Sequence, residues 1–105
     1  MPQFAVHRNK NTTTKSAVPY LLNIQSELID GLETRVVIPL YPAATMKGKP
    51  LKTLTPVFEI DGKQYLLMTP QLAGISKKQL GIHVADLTHA RNEIIAALDL
   101  LIRGI

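Results

Sequence analysis

The stretch VFEIDGKQYLLM, residues 57–68, narrows the choice of fold more than any other part of the chain. Two runs of alternating apolar and polar residues flank Asp61-Gly62. That dipeptide adopts most readily the two positive φ angles of a type I′ turn, whose twist matches the strands it joins. The expected element is a β-hairpin.

Other strands are read from the same alternation. QFAV, residues 3–6, alternates from Phe4 to Val6 and reads as a short first strand; the RNKNTTTKSA that follows at residues 8–17 reads as a polar loop. PYLLNI, residues 19–24, alternates Tyr20, Leu22 and Ile24 and gives a second strand. TRVVIPL, residues 34–40, is β-branched and apolar, with Pro39 expected to mark an edge or a bulge near its end. Residues 41–56, YPAATMKGKPLKTLTP, carry Pro, Gly and Lys in the proportions of a loop.

The last element reads as a helix. Asp86 or Thr88 can cap it, and apolar residues recur at Leu87, Ala90, Ile94, Ala97, Leu98, Leu101 and Ile102. Thr88, Arg91, Asn92 and Asp99 fall on the other side. Gly104 sits where a left-handed residue stops a helix. Strands followed by one closing helix make residues 1–105 a single α+β domain, mostly β.

At 105 residues the core is thin, which favours a homodimer. The chain has no cysteine, so disulfides and thiolate metal sites are out, and a reducing compartment fits. No signal-peptide-like or membrane-length apolar run is present, so the expected location is the cytoplasm. The net charge of +4 is uneven. Arg8, Lys10 and Lys15, with Lys47, Lys49 and Lys52, hold half of the basic residues in two stretches without an acid. Such loops suit an acidic partner or nucleic acid.

Chemistry is harder to find. His7, His83 and His89 are scattered, with no HxxxH or HxH pair, so no metal is expected. His89 reads as a solvent-facing imidazole. No P-loop, GxGxxG or GxSxG occurs, so neither a cofactor nor a catalytic residue is assigned. Of five aromatics, Phe4, Tyr20, Phe58 and Tyr65 fall in strand patterns and read as core; only Tyr41 borders a loop. Direct nucleic-acid binding is not expected, because stacking platforms need exposed aromatics.

Three blocks together resemble the CcdB family, the toxins of ccd-type toxin–antitoxin modules. They are QSELID at residues 25–30 followed by VIPL at 37–40, TPVFEI with LLMT at 55–69, and VADLTHARNEI at 84–94, closing on the terminal GI. The resemblance implies an SH3-like barrel-type antiparallel sheet, a C-terminal helix and a symmetric homodimer. It also implies a non-enzymatic toxin that binds the A subunit of DNA gyrase, traps the cleaved-DNA complex and is neutralised by a CcdA-type antitoxin. Carried over by position, the gyrase surface falls on Gln3, Phe4, Ser26, Leu28, Ile29, Asp99, Arg103, Gly104 and Ile105. Ile105, beyond the helix stop, would then be left for another protein to cover. Arg103 stands where the best-known plasmid toxin has tryptophan, and Asp99 where it has asparagine. The acidic tail typical of such antitoxins points to Arg8, Lys10, Lys15, Lys47, Lys49 and Lys52 as its surface.

Two other readings compete. One is a CcdB-like interaction protein whose gyrase poisoning is weakened or lost, on account of Arg103. The other is a MazF/Kid-like endoribonuclease, which shares the barrel-like fold and would need an acid–base pair and phosphate-binding arginines in the sheet groove. Arg35 and Arg91 are the arginines within expected elements, and no His or Glu lies at an evident spacing from them.

Overall fold

The computed structural model describes residues 2–48 and 50–104. The expectations placed on Lys49 and Ile105 lie outside the described residues.

The architecture is a strongly curled antiparallel sheet, closing part-way to a barrel, with one helix packed in its hollow. Its strands are β1 (Ala5–Asn9), β2 (Tyr20–Asn23), β3 (Thr34–Pro42), β4 (Val57–Ile60), β5 (Lys63–Leu67), β6 (Ala73–Ser76) and β7 (Leu80–Asp86), followed by α1 (Arg91–Arg103). They pair in the order β4-β5-β3-β2-β1-β7, with β6 also on β3. The fold is therefore α+β and mostly β, as the sequence implies.

The hairpin forms where expected. Asp61 and Gly62 take φ of 53° and 79°, and Ile60 pairs with Lys63 across the turn. Alternation then sorts side chains to the two faces. Val6, Leu22 and Ile38 lie side by side across three strands, as do Tyr20, Leu40 and Leu67. Together with Phe58, Ile60 and Tyr65 they form the main core, onto which Ile94 and the turn before α1 pack. The residues between them point the other way. There Val18, Leu21, Val37 and Leu80 make a second, smaller core with Tyr41 and Ile75 on its rim.

Pro39 does not end its strand, which runs on to Pro42. The Pro39 carbonyl accepts the Met68 N–H at 3.0 Å, so its absent N–H faces the same edge. On that edge the partner of β3 changes from β6, which ends at Val37, to β5, which begins at Leu40. No ladder bond is lost there, and the proline is tolerated inside a central strand.

Phe4 does not begin a strand either. It sits in a turn at φ 68°, and β1 instead extends through Arg8 and Asn9, so the polar loop is shorter than its composition suggests. A phenylalanine at positive φ is costly, of order 1–2 kcal/mol. The turn is clasped from two sides: Phe4 N–H donates to the Asn23 carbonyl, and the Phe4 carbonyl accepts from Leu87 N–H. The ring is 3% exposed and belongs to the main core.

The VADLTH block leads into the helix rather than starting it. Val84, Ala85 and Asp86 close β7, and a 3-10 turn at Thr88–Ala90 precedes α1. Neither Asp86 nor Thr88 caps α1, whose N-cap is Ala90 without a side-chain bond. Asp86 instead closes a local turn ahead of it, its Oδ1 accepting the Thr88 N–H at 2.8 Å and the Thr88 hydroxyl. Those two bonds hold its carboxyl below the usual aspartate value. At the far end Gly104 takes φ 74° and donates to the Leu100 carbonyl at 3.1 Å, the expected left-handed stop.

Candidate protein-docking site

Residues 24–33, between β2 and β3, are held by side chains as well as by local backbone bonds. Gln25, buried, donates through Nε2 to the Ile29 carbonyl and accepts the Val36 N–H on Oε1, both at 3.0 Å. Its own N–H reaches Asn23 Oδ1. Ser26 caps the short 3-10 turn Glu27–Ile29, its Oγ accepting from Leu28 N–H at 3.1 Å. Arg35, only 3% exposed, reaches back under the loop: Nη1 donates to the carbonyls of Leu32 and Thr34, and Nη2 to the Asp30 carbonyl. The same guanidinium lies 3.1 Å from the Asp30 carboxylate.

The loop so fixed turns its apolar side chains outward. Leu28 is 96% exposed, and Ile29 and Leu32 are about half exposed. Exposed apolar side chains on a pinned backbone keep their positions without having to be ordered when something covers them. Gln3 joins this patch. Its side chain donates to the Ile24 carbonyl at 3.0 Å and its N–H to Glu27 Oε1 at 3.3 Å.

Of the residues assigned to the gyrase surface, the structure thus gathers Gln3, Ser26, Leu28 and Ile29. Phe4 does not join them: its ring is 3% exposed and packs in the main core, so it offers no surface to a partner. Asp99, half-buried, and Arg103 and Gly104, both exposed, mark the last turns of α1. The sequence reading missed Gln25 and Arg35 as the props of the loop, and Leu32 as part of its apolar display. Nothing in the sequence marks a glutamine and an arginine either side of this loop as buried; that appears only in the fold.

The basic residues divide. Arg8 belongs to β1, not to the loop, and with Lys10, Lys15, Pro19, Leu80 and Ile82 lines a groove of about 760 Å³. Lys47 lies on a separate apolar pocket, while Lys52 shares a shallow depression with Glu93 of α1, an acid that partly offsets its charge.

Two histidines that the sequence holds far apart are neighbours in the sheet. His7 and His83 are paired across β1 and β7 with ring centroids 5.7 Å apart. His7 is buried, and its Nδ1 lies 3.0 Å from the Gly81 carbonyl, so Nδ1 carries the proton. Burial pushes its pKa below 6.5; the bond to Gly81 opposes this and the charge of His83 adds to it. Among the described residues no third ligand joins them to make a metal site. His89 is exposed, as expected.

The fold is a curled antiparallel sheet with one C-terminal helix, and its loop between β2 and β3 displays apolar side chains on a braced backbone. The family model described as CcdB protein matches residues 3–104, so the chain belongs to the CcdB family. That membership makes it a toxin of the toxin–antitoxin type. Among the described residues, no helix is long and apolar enough to cross a membrane.

Proposed function

We propose that this toxin acts without catalysis of its own, by binding the A subunit of DNA gyrase in the cytoplasm and trapping the enzyme on cleaved DNA. The observation that carries the reading is the pinned loop with Leu28 almost fully exposed beside Gln3, at positions the family resemblance assigns to gyrase contact. The end of α1, with Arg103, Gly104 and Ile105, supplies the second half of the surface. A homodimer presents two copies of it.

A CcdA-type antitoxin with an acidic tail neutralises the toxin. The groove lined by Arg8, Lys10 and Lys15 supports that partner, because clustered positive charge steers an acidic chain into place. The endoribonuclease reading loses one of its two candidate arginines. The Arg35 guanidinium is engaged with loop carbonyls and the Asp30 carboxylate beneath residues 30–34 and does not face an open groove. The reading as an interaction protein with weakened poisoning keeps one specific support, the exposed guanidinium of Arg103 in place of a flat indole.

One experiment separates all three. Gyrase, supercoiled DNA and the purified protein are assayed for trapped cleavage complexes, beside a parallel assay for RNA cleavage. Linearised DNA without RNA cleavage is the expected outcome. RNA cleavage, or gyrase binding without trapped breaks, would select one of the alternatives.

A further inference from the structure

Residues 43–48 and 50–55 line, with Leu66 of β5, a pocket of about 410 Å³, within the range of sites that bind ligands or anchoring side chains. Its walls include Met46, Leu51, Leu66, Met68 and Pro70, with Lys47 among the few polar groups. The outer wall is built to stay out. Thr55, buried, accepts the Leu51 N–H on Oγ1 at 2.8 Å, and its own N–H donates to the Leu51 carbonyl at 2.8 Å. That closed turn holds Leu51 61% exposed at the mouth of an apolar cavity. The entry to the pocket is also fixed: Thr45 Oγ1 donates to the Pro42 carbonyl at 2.8 Å, and Gly48 turns the chain at φ 85°.

We propose that this pocket seats one large apolar side chain of an acidic polypeptide segment, with Lys47 facing a carboxylate beside that anchor. Two features choose the occupant. The other polar group in the lining, the Thr55 hydroxyl, is already engaged by the Leu51 turn, so little remains to orient a polar metabolite. Lys47 lies in a stretch of chain, residues 42–58, that contains no acid, so an acidic segment meets charge complementarity there. The two methionines add an adaptable lining, which suits an anchor inserted from a flexible chain. The proposal rests on the reading that an acidic antitoxin binds this protein, and it locates an apolar anchor point for such a segment.

The test uses the full chain and a short fluorescein-labelled peptide rich in glutamate with one central tryptophan, compared with the same peptide carrying serine there. Anisotropy should show the tryptophan peptide bound about 10- to 150-fold more tightly, the value of burying one large apolar side chain. Leu51→Ser should erase most of that difference with an unchanged melting temperature, since Leu51 is largely exposed. Lys47→Ala should weaken both peptides and flatten the salt dependence. Equal binding of the two peptides, or no effect of Leu51→Ser, would overturn the pocket even if both peptides bind in a salt-dependent way. No binding of either peptide at low salt would overturn the acidic-partner reading as well.

Discussion

Arg35 and Asp30 form an ion pair at 3.1 Å in which the arginine is buried and the aspartate is half in solvent, and the same guanidinium holds three carbonyls of the loop between them. The pair is therefore less a surface salt bridge than a clamp on residues 30–35. Exposed ion pairs contribute little, about 0–1 kcal/mol. Bonds from a buried charged donor contribute more, about 1.5–3 kcal/mol each, with the exposed side of the loop discounted.

Arg35→Ala should accordingly cost about 2–4 kcal/mol, removing the clamp and leaving carbonyls without donors. Arg35→Lys keeps the charge but not the planar fork, so it cannot span the three carbonyls. Its loss of gyrase binding should exceed its loss of stability. Thermal melts beside binding to a gyrase A fragment check both. A lysine variant that binds normally would show that loop geometry does not matter to the partner.

Acid should destabilise the fold through His7. The folded pKa is depressed below the unfolded value of 6.5, so the unfolded chain takes up the proton first. The stabilisation is complete above about pH 6.5 and is lost as the pH falls toward the folded pKa. The charge of His83, across the ladder, acts in the same direction. Urea midpoints should fall between pH 7.5 and pH 5, and His7→Phe should flatten that fall. An unchanged slope in the variant would assign the acid sensitivity elsewhere.

Association in pairs should depend on the outer side of α1. Ile94 and Ala97 are buried and Ile95 and Leu98 pack against the main core, whereas Leu100 and Leu101 are half-covered and Ile102 is 72% exposed. An apolar surface on that scale fits a second copy of the chain. Sedimentation at micromolar concentration should give about twice the chain mass of 11.6 kDa. Ile102→Lys should shift the species toward monomer, with direct effects on the folded monomer within about 0.5 kcal/mol. A clean wild-type monomer would contradict the pairing.

What the sequence made legible was local. The Asp61-Gly62 turn, the Gly104 stop and the four core aromatics each follow from a residue and its immediate neighbours. The strands β6 and β7 were not legible, because both lie at the margins of the sheet. β7 exposes Ile82 and His83 together and so shows no alternation. The positive φ of Phe4 was hidden for another reason: besides the local Ala5 N–H to Pro2 carbonyl bond, it is held by the Asn23 carbonyl and the Leu87 N–H, both distant in sequence. The same holds for the candidate site. Leu28 and Ile29 came from family position, but the props beneath them, Gln25 and Arg35, act on backbone groups that only the folded loop brings within reach.

The most direct measurement is the affinity of a gyrase A fragment for three forms of the protein: wild type, Leu28→Ser, and the chain lacking residues 104–105. Leu28 is almost fully exposed, so its replacement should leave the melting temperature unchanged. Losing one large apolar contact at the partner corresponds to about 1.5–3 kcal/mol, or about 10- to 150-fold in affinity. Both altered forms should melt like wild type and bind at least about tenfold more weakly. Wild-type affinity in both, or no measurable binding of the wild type itself, would contradict the assignment of this surface to gyrase.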